Sequence, residues 1–596
     1  MPGNPDKKPW LVGAALIALT LLAYQPVWHA GFVWDDDFYV TQNTTLRSLD
    51  GLRSIWFQPG VRSQQYYPLS FSGLWAQYHL WKLQPLGYHL VNVLLHALNA
   101  VLLWCLLRRL QVPGAWWAAA IFAVHPITVE SAAWVTEFKN VLSGTFSLLS
   151  LLAFLRFHPL SVPETSATRD WRFYAPALLL FLGALLSKTA VCCLPIAMGV
   201  LIWWKQERVS WRDVLALMPW FVASATLGLL TVQVEAPAPD AGTTGSTLSR
   251  VDSVLLAGRA LWFYVSKIFW PRPLSFVYPR WEIDARAPWQ YLFPLGALVV
   301  VVTLWRLRRR IGKGPLAGVL CFGAMLLPVL GFFNIFFFRY SYVTDHFQYL
   351  ASIALIVLAV NLVAAKRFRG GERTANEIRG YNLAGAVVVA LLGWTTWTRA
   401  HVYQDLETLW KDTLAKNPAC WMAHSNLSGL LIPEGRYKEA LRHSEAALRL
   451  KPDYVEACYN SALALEDMGR MRDAIVRYGE ALKIKPDYPP IYNNLAWLLA
   501  TIPATEGGDA VRAVALSKRG CELAGNHLAP YLDTLAVAYA ASGDFNKAIV
   551  TEENAITLAR SSGQAQHTGD MTSHLDLFRH GKIYRRPAAV STSSHP

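Results

Sequence analysis

Apolar residues along this chain come in long blocks separated by short polar stretches, and the blocks stop near Thr398. A block of about 20 apolar residues is long enough to cross the hydrocarbon core of a bilayer as a helix. Such blocks fall near 10–28, 88–107, 115–131, 140–157, 173–189, 190–204, 213–233, 290–306, 315–333, 347–364 and 382–398. The pattern predicts a polytopic helical bundle of about eleven spans over residues 1–400. Basic clusters beside the blocks set its orientation, because cytoplasmic loops carry an excess of Lys and Arg. Arg108-Arg109, Arg169 to Arg172, Lys205 to Arg212, Arg306 to Lys313 and Lys366 to Arg379 all read as cytoplasmic. With the N-terminus inside, an odd number of crossings satisfies them all and leaves everything after Thr398 outside the cytoplasm. Two large loops, 29–87 and 234–289, then face that same outer side. Val251 to Trp270 is apolar enough to cross but carries Arg259 and Lys267, and a crossing there would put Arg306 to Arg310 outside. It is therefore expected as a re-entrant or interfacial helix.

Beyond residue 400 the pattern changes to a repeat. Pro418, Pro452 and Pro486 recur every 34 residues, as do Gly435 and Gly469, and Ala440 and Ala474. That period, with small Ala where paired helices cross and Pro where a unit ends, is the tetratricopeptide signature. About four units fit in 401–560, the third carrying an insertion around Ile502 to Asp509. Four units form a short α-solenoid with a concave face suited to an extended peptide. Asn426, Asn460, Asn493, Asn494 and Tyr492 are candidates for gripping a peptide backbone, although Asn at such positions also caps or packs helices. The plainer reading is that the repeats dock on the membrane domain or dimerise. After Ser561 the chain turns polar, and 561–596 is expected as a flexible tail.

Composition narrows this picture. With 53% hydrophobic and 16% charged residues, the chain is too apolar for an ordinary soluble multidomain protein. The net charge of +14 is explained by the cytoplasmic clusters, so no nucleic-acid partner is expected. The seven cysteines include no CxxC pair, and Cys105, Cys192, Cys193 and Cys321 lie inside apolar runs. Lys7 and Lys8 precede the first block with no small-residue cleavage site after it, which predicts a retained anchor.

The chemistry lies at the outer ends of the blocks. Trp34-Asp35-Asp36-Asp37 sits just past the first one. Carboxylates there are costly to desolvate, so the cluster holds a metal, holds another cation, or acts as a base. His89, Asn92 and His96 share one face of the second span. Asn92 and His96 are expected to bond between helices, whereas His89 lies at the outer end and within reach of the acids. Glu130 follows His125-Pro126, Glu137 and Lys139 open the fourth span, Lys188 follows the fifth, and Asp345-His346 precedes the span at 347. Charged groups gathered on one side predict a shared polar cavity.

These words together carry a resemblance. Phe32-Val33-Trp34-Asp35-Asp36 with Asn43, Tyr66-Tyr67-Pro68-Leu69, Gly87-Tyr88-His89-Leu90-Val91-Asn92-Val93-Leu94-Leu95-His96, Phe122-Ala123-Val124-His125-Pro126, Lys188 and Tyr349-Leu350 are followed in order by the repeats. In this the chain resembles the transmembrane and tetratricopeptide-repeat-containing (TMTC-like) protein O-mannosyltransferases and their bacterial relatives, of the GT-C glycosyltransferase superfamily. The resemblance implies a GT-C-type membrane bundle that moves mannose or another hexose from a polyprenyl-phosphate carrier to Ser/Thr hydroxyls of exported proteins, the acceptor being held by the repeats. It implies a carboxylate base, for which Asp35 is the leading candidate with Asp36 as partner or orienting group, and Asp37 as a solvated neighbour. The anionic leaving phosphate needs cations, for which Lys188, Lys139 and His346 are the candidates, Arg259 being a weaker one. His89, Glu130 and Asp345 would orient the substrates. Two departures from the family pattern stand out. Asp345-His346 occupies the place of an acid followed by Arg, and a His carries that role only when protonated. Thr128-Val129-Glu130 lacks the second His of a His-Pro-x-His-x-Glu form. No cofactor is implied beyond the lipid-linked donor, and a divalent cation at the acids stays open. The resemblance places the protein in a bacterial inner membrane with periplasmic repeats, or in an endoplasmic-reticulum membrane with luminal ones. Competing readings are a transferase acting on a lipid or glycan, and a membrane-anchored repeat scaffold without activity.

Overall fold

The computed structural model describes residues 9–58, 65–160, 169–206, 208–234, 248–333, 335–367, 375–525, 527–562 and 568–586. Parts of the two predicted outer loops (59–64 and 235–247), of the basic stretch (368–374) and of the polar C-terminus (563–567 and 587–596) lie outside them. Among the described residues every regular element is helical. The chain divides into two compact units, Met1–Asn417 and Pro418–Pro596.

The first unit begins with α1 (Pro9–Ala23), α2 (Leu49–Phe57), α3 (Pro68–Trp81), α4 (Pro85–Arg109), α5 (Ala115–Ala123) and α6 (Val129–Ala133). It continues with α7 (Phe138–Phe157), α8 (Tyr174–Ser187), α9 (Leu194–Lys205), α10 (Trp211–Val234) and α11 (Arg250–Phe269). It ends with α12 (Leu292–Ile311), α13 (Gly314–Leu326), α14 (Ser352–Arg367), α15 (Ala375–Ala400) and α16 (Leu406–Lys416). Among the described residues five stretches are long and apolar enough to cross a membrane: Pro85–Arg109, Val135–Phe157, Trp211–Val234, Pro288–Ile311 and Arg379–Tyr403. Pro9–Ala23, Trp171–Ser187, Thr189–Lys205, Gly314–Val329 and Ser352–Ala364 are apolar but shorter. The faces of α10 and α12 that meet no protein are themselves apolar, as at Leu215, Leu229, Leu295 and Val299. That is the pattern of helices bathed in lipid.

The predicted block at 115–131 is not one helix. Alpha-helix α5 ends at Ala123, because Pro126 has no N–H to donate and forces His125 into an extended conformation, φ −77° and ψ 130°. Short helical pieces then carry the chain to α7, and Thr128, Glu130, Ser131, Thr136 and Glu137 lie buried in this irregular stretch. The segment at 251–270 is helix α11, opened by a capping box between Ser249 and Asp252. Its Arg259 guanidinium lies over the Trp281 ring, 4.5 Å from the centroid.

The second unit stacks helix pairs. They are α17 (Trp421–Leu431) with α18 (Tyr437–Leu450), α19 (Val455–Asp467) with α20 (Met471–Ile484), α21 (Pro489–Thr501) with α22 (Ala510–Leu523), and α23 (Ala529–Ala541) with α24 (Phe545–Ser561). Ala440 and Ala474 are fully buried where helices cross. Gly435 and Gly469 turn the chain between helices in the left-handed region, at φ 75° and 77°. Residues 568–586, expected within a polar tail, instead carry α25 (Thr568–Arg579) and an extended stretch. That stretch runs back to the repeats, where Arg586 pairs with Glu466 and, at 3.0 Å, with Asp467. Helix α16, inside the span expected for the repeats, belongs to the first unit: its Trp410 is buried against Trp34 and Phe276.

Candidate active site

The acidic cluster is held by a turn with an aromatic seat. Trp34 adopts φ 44°, rare for a residue with a β-carbon and tolerated where surrounding contacts hold it. Its indole stacks on Trp134, centroids 5.7 Å apart, and meets Phe276, Phe337, Tyr340 and Trp410 edge-on at 5.2–6.4 Å. The Trp134 indole N–H donates to the Val33 carbonyl at 3.2 Å. His89, buried on α4, bonds the Gly31 carbonyl at 3.2 Å, and Asn92 donates to the Trp134 carbonyl at 2.9 Å. These contacts tie the turn at 31–37 to α4 and to the chain between α6 and α7.

Within this turn the three acids meet three different environments. Asp36 is fully buried, and both of its oxygens are engaged. One accepts from the Val33 N–H at 2.8 Å, and the other from the Thr136 N–H and hydroxyl at 2.7 and 2.6 Å. Burial pushes its carboxyl up to about 7, against three hydrogen bonds that favour the ionised form. Asp37 is exposed and accepts from the Thr41 hydroxyl. Asp35 is half-buried, and its carboxylate makes no hydrogen bond to a described residue. Burial raises it to about 6, with the Lys139 ammonium pulling it down and the Glu137 carboxylate pushing it up. Only Asp35 therefore combines an open carboxylate with a basicity near neutrality, the condition for general-base work. The three acids do not converge on a common point as metal ligands would, since Asp36 has given both oxygens to donors and Asp37 faces solvent.

The cations lie on the other side of Asp35. Lys188, between α8 and α9, donates to Glu137 at 2.9 Å, and Lys139 on α7 approaches the same carboxylate at 3.3 Å. Lys139 also donates to the Tyr39 hydroxyl at 3.2 Å. His346 places Nδ1 2.9 Å from Glu130 and Nε2 3.9 Å from Glu137. Glu130 in turn accepts from the Thr344 hydroxyl at 2.8 Å and the Asp345 backbone N–H at 3.0 Å. Asn140 spans Ser131 and the His346 carbonyl, both at 2.8 Å. Asp345 accepts from the Tyr278 hydroxyl at 2.9 Å, and burial with the nearby Glu130 charge raises it to about 7. All of these residues except Asp35 are more than nine-tenths buried, a dense ionisable core at the helix ends.

The structure thus brings Asp35, Lys139, Lys188, His346 and Glu130 into one network. It sets three candidates apart in role. Asp36, His89 and Asp345 each bond protein groups, latching the 31–37 turn or the 344–346 turn. Sequence reading placed Glu137 in the shared polar cavity but not as the counter-ion of both lysines, and it gave no role to Tyr39, Thr136 or Tyr278. A signal existed for Glu137 alone: an acid two residues before a lysine at the start of an apolar block.

Comparison with known proteins adds to this geometry. A family profile described as tetratricopeptide repeat matches residues 431–498. Over 472 residues the chain is 22% identical to a protein O-mannosyl-transferase of Caenorhabditis elegans, covering 74% of this chain and 62% of that one. Over 510 residues it is 23% identical to the protein O-mannosyl-transferase TMTC1 of Homo sapiens, covering 76% and 57%. A stretch of 192 residues is 33% identical to the protein O-mannosyl-transferase Tmtc1 of Drosophila melanogaster, covering 30% and 21%. The chain therefore spans only part of the length of the curated relatives it matches. Among solved structures, MamA is 15% identical, with a TM-score of 0.24 over 28% of this chain and 94% of MamA.

Proposed function

We propose, from a resemblance to the TMTC-like protein O-mannosyltransferases that runs through most of the chain, that this protein is an integral-membrane protein O-glycosyltransferase. Its donor is a hexose, mannose in the first instance, on a polyprenyl phosphate, and its acceptors are Ser/Thr hydroxyls of exported proteins. The observation that carries the reading is the Asp35 carboxylate, half-buried, unbonded and raised to about 6 beside the Lys139–Glu137–Lys188 cluster. In the reaction the acceptor oxygen attacks the anomeric carbon while its proton passes to Asp35. The bond from the anomeric carbon to the phosphate oxygen breaks, and its electron pair leaves on the phosphate. Lys188 and Lys139, joined by His346 when it carries a proton, supply the positive charge facing that leaving group. Glu130 holds His346 and the 344–345 backbone for this task, and Asp36 holds the turn that aims Asp35. A base reading of the acidic cluster is favoured over a metal reading because Asp36 has given both oxygens to donors and Asp37 faces solvent, away from a common point.

The same reading takes the eleven apolar blocks as crossings of a GT-C-type bundle, the block at 115–131 being a broken one, with α11 lying at the outer interface. The basic clusters then face the cytoplasm, and the repeats, which bind acceptor peptide, lie outside it. The test is to compare O-linked hexose on exported proteins of cells carrying the normal chain or Asp35→Asn, each quantified for membrane insertion. Loss of hexosylation at equal insertion supports the assignment, and unchanged hexosylation overturns it.

A further inference from the structure

A second group of ionisable side chains lies in the repeat unit, where the proposed chemistry has no use for it. Asp533 on α23, Glu552 on α24 and His574 on α25 come from three successive helices, and one ligand atom of each lies within 4.8 Å of the others. The His574 Nδ1 and an Asp533 oxygen are 2.8 Å apart. Glu552 has no exposed surface, and neither of its oxygens meets a hydrogen-bond donor. Its neighbour in this buried pocket is the Asp533 carboxylate. Among the described residues no Lys or Arg pairs with either acid. The charged groups nearby are taken: Arg579 holds Glu553, and Arg586 holds Glu466 and Asp467. The surroundings are apolar, with Ala529, Ala555, Ile556, Met571 and Leu575 packed around the three helices. The rings of Trp497 and Tyr584 close over His574, centroids 5.8 and 4.5 Å away.

Two carboxylates side by side in an apolar pocket, one with both oxygens unpartnered, lack a positive charge. We propose that Asp533, Glu552 and His574 bind a divalent transition-metal ion of the zinc class, which fastens α25 onto the last repeat. Two carboxylates and a neutral imidazole carry a charge of −2 that such an ion cancels. A nitrogen and two oxygens are a normal three-residue set for zinc, with water in the fourth position. Tetrahedral bonds of about 2.1 Å place ligand atoms about 3.4 Å apart. The present spacings need only small side-chain adjustments to reach that. Binding of this kind also gives the solenoid a closed end, which stacked repeats require.

The experiment uses the full chain in detergent, stripped with EDTA and titrated with zinc chloride. Bound zinc is read by elemental analysis, and amide hydrogen exchange is read over 529–579. The expected result is one zinc bound at micromolar free metal, with slowed exchange in α25. Glu552→Gln and His574→Ala should lose that zinc, while Glu553→Gln, next to the site on the outer face of α24, keeps it. Binding that survives Glu552→Gln places the zinc elsewhere and overturns the proposal. So does a chain that binds no zinc while α25 stays protected, since the two acids then share a proton. If Glu552→Gln does not fold, exchange in the unaltered chain decides: zinc must slow α25, and a change confined to other segments refutes the site.

Discussion

Replacing Asp35 by Asn separates catalysis from stability more cleanly than any other change in the site. The carboxylate makes no hydrogen bond to a described residue, so the amide leaves no donor unsatisfied and fills nearly the same volume. Its carboxyl stands at about 6 against an ordinary 3.8, so ionisation inside the fold costs about 3 kcal/mol near pH 7. The Asn form therefore folds as well as the parent or better, by up to about 3 kcal/mol. Removal of a general base lowers turnover by about 10²–10⁴-fold. The assay is transfer of hexose from membrane-borne donor to exported proteins, counted by mass spectrometry of glycopeptides, with thermal unfolding followed on the same detergent-purified chain. The exposed neighbour provides the control, since Asp37→Asn should alter neither quantity. Turnover of the Asp35→Asn form within a few-fold of the parent would refute the base assignment. A large fall in its melting temperature would refute the claim that this carboxylate is held at a cost.

The raised carboxyl also sets the pH dependence. Asp35 works as a base only when ionised, so initial rates of transfer should climb with pH through about 6 and then level off. Linkage runs the other way for stability: the folded state holds the proton more tightly, so Asp35 subtracts stability as pH rises from about 4 to 6, and Asp35→Asn should remove that slope in unfolding measurements. Glu137→Gln leaves Lys139 and Lys188 buried without their shared counter-ion, at a cost of about 3–5 kcal/mol, read as a lower melting temperature. Partial recovery in the double variant with Lys188→Met would identify charge as the cause. In the repeats, Ala474→Leu forces extra methylenes into a fully buried helix crossing and should cost about 1–3 kcal/mol, seen as faster proteolysis of that unit.

The helices of the first unit were readable because lipid-facing segments show as unbroken apolar blocks, whatever the loops between them do. The break after Ala123 was written in His125-Pro126, but the apolar residues on both sides outweighed one proline in a composition-based reading. The 34-residue period located the repeats, because each unit is built from local sequence. Helix α25 had a local signal as well: Met571, Leu575 and Phe578 fall at i, i+4 and i+7 and are all buried, though the stretch around them is polar. The site was legible as residue types and opaque as roles. Three consecutive acids in an aperiodic turn give no pattern saying which is buried. That is decided by the positive φ of Trp34 and by Thr136, one hundred positions further along the chain. Likewise Glu137 becomes a counter-ion only because α8 delivers Lys188 to it, fifty-one positions away.

Lys139, Lys188 and a protonated His346 face Glu137, Glu130 and an ionised Asp35, and this near balance bears on what the network was built to meet. Lys139 and Lys188 share a single carboxylate, Glu137, and His346 adds a third cation when protonated, its partner Glu130 being already engaged by Thr344 and the Asp345 backbone. Asp35 contributes to this balance only while ionised, and in the proposed reaction it becomes neutral as it takes the proton of the acceptor. At that moment the leaving phosphate gains charge, so the cations lose one anion and gain another within the same site. A fold that kept these groups for stability alone would do better with apolar side chains of similar volume. Their retention is explained if the charge that Asp35 loses in the reaction is replaced by that of the leaving phosphate. A bound donor should then stabilise the chain in proportion to the logarithm of its concentration over its dissociation constant.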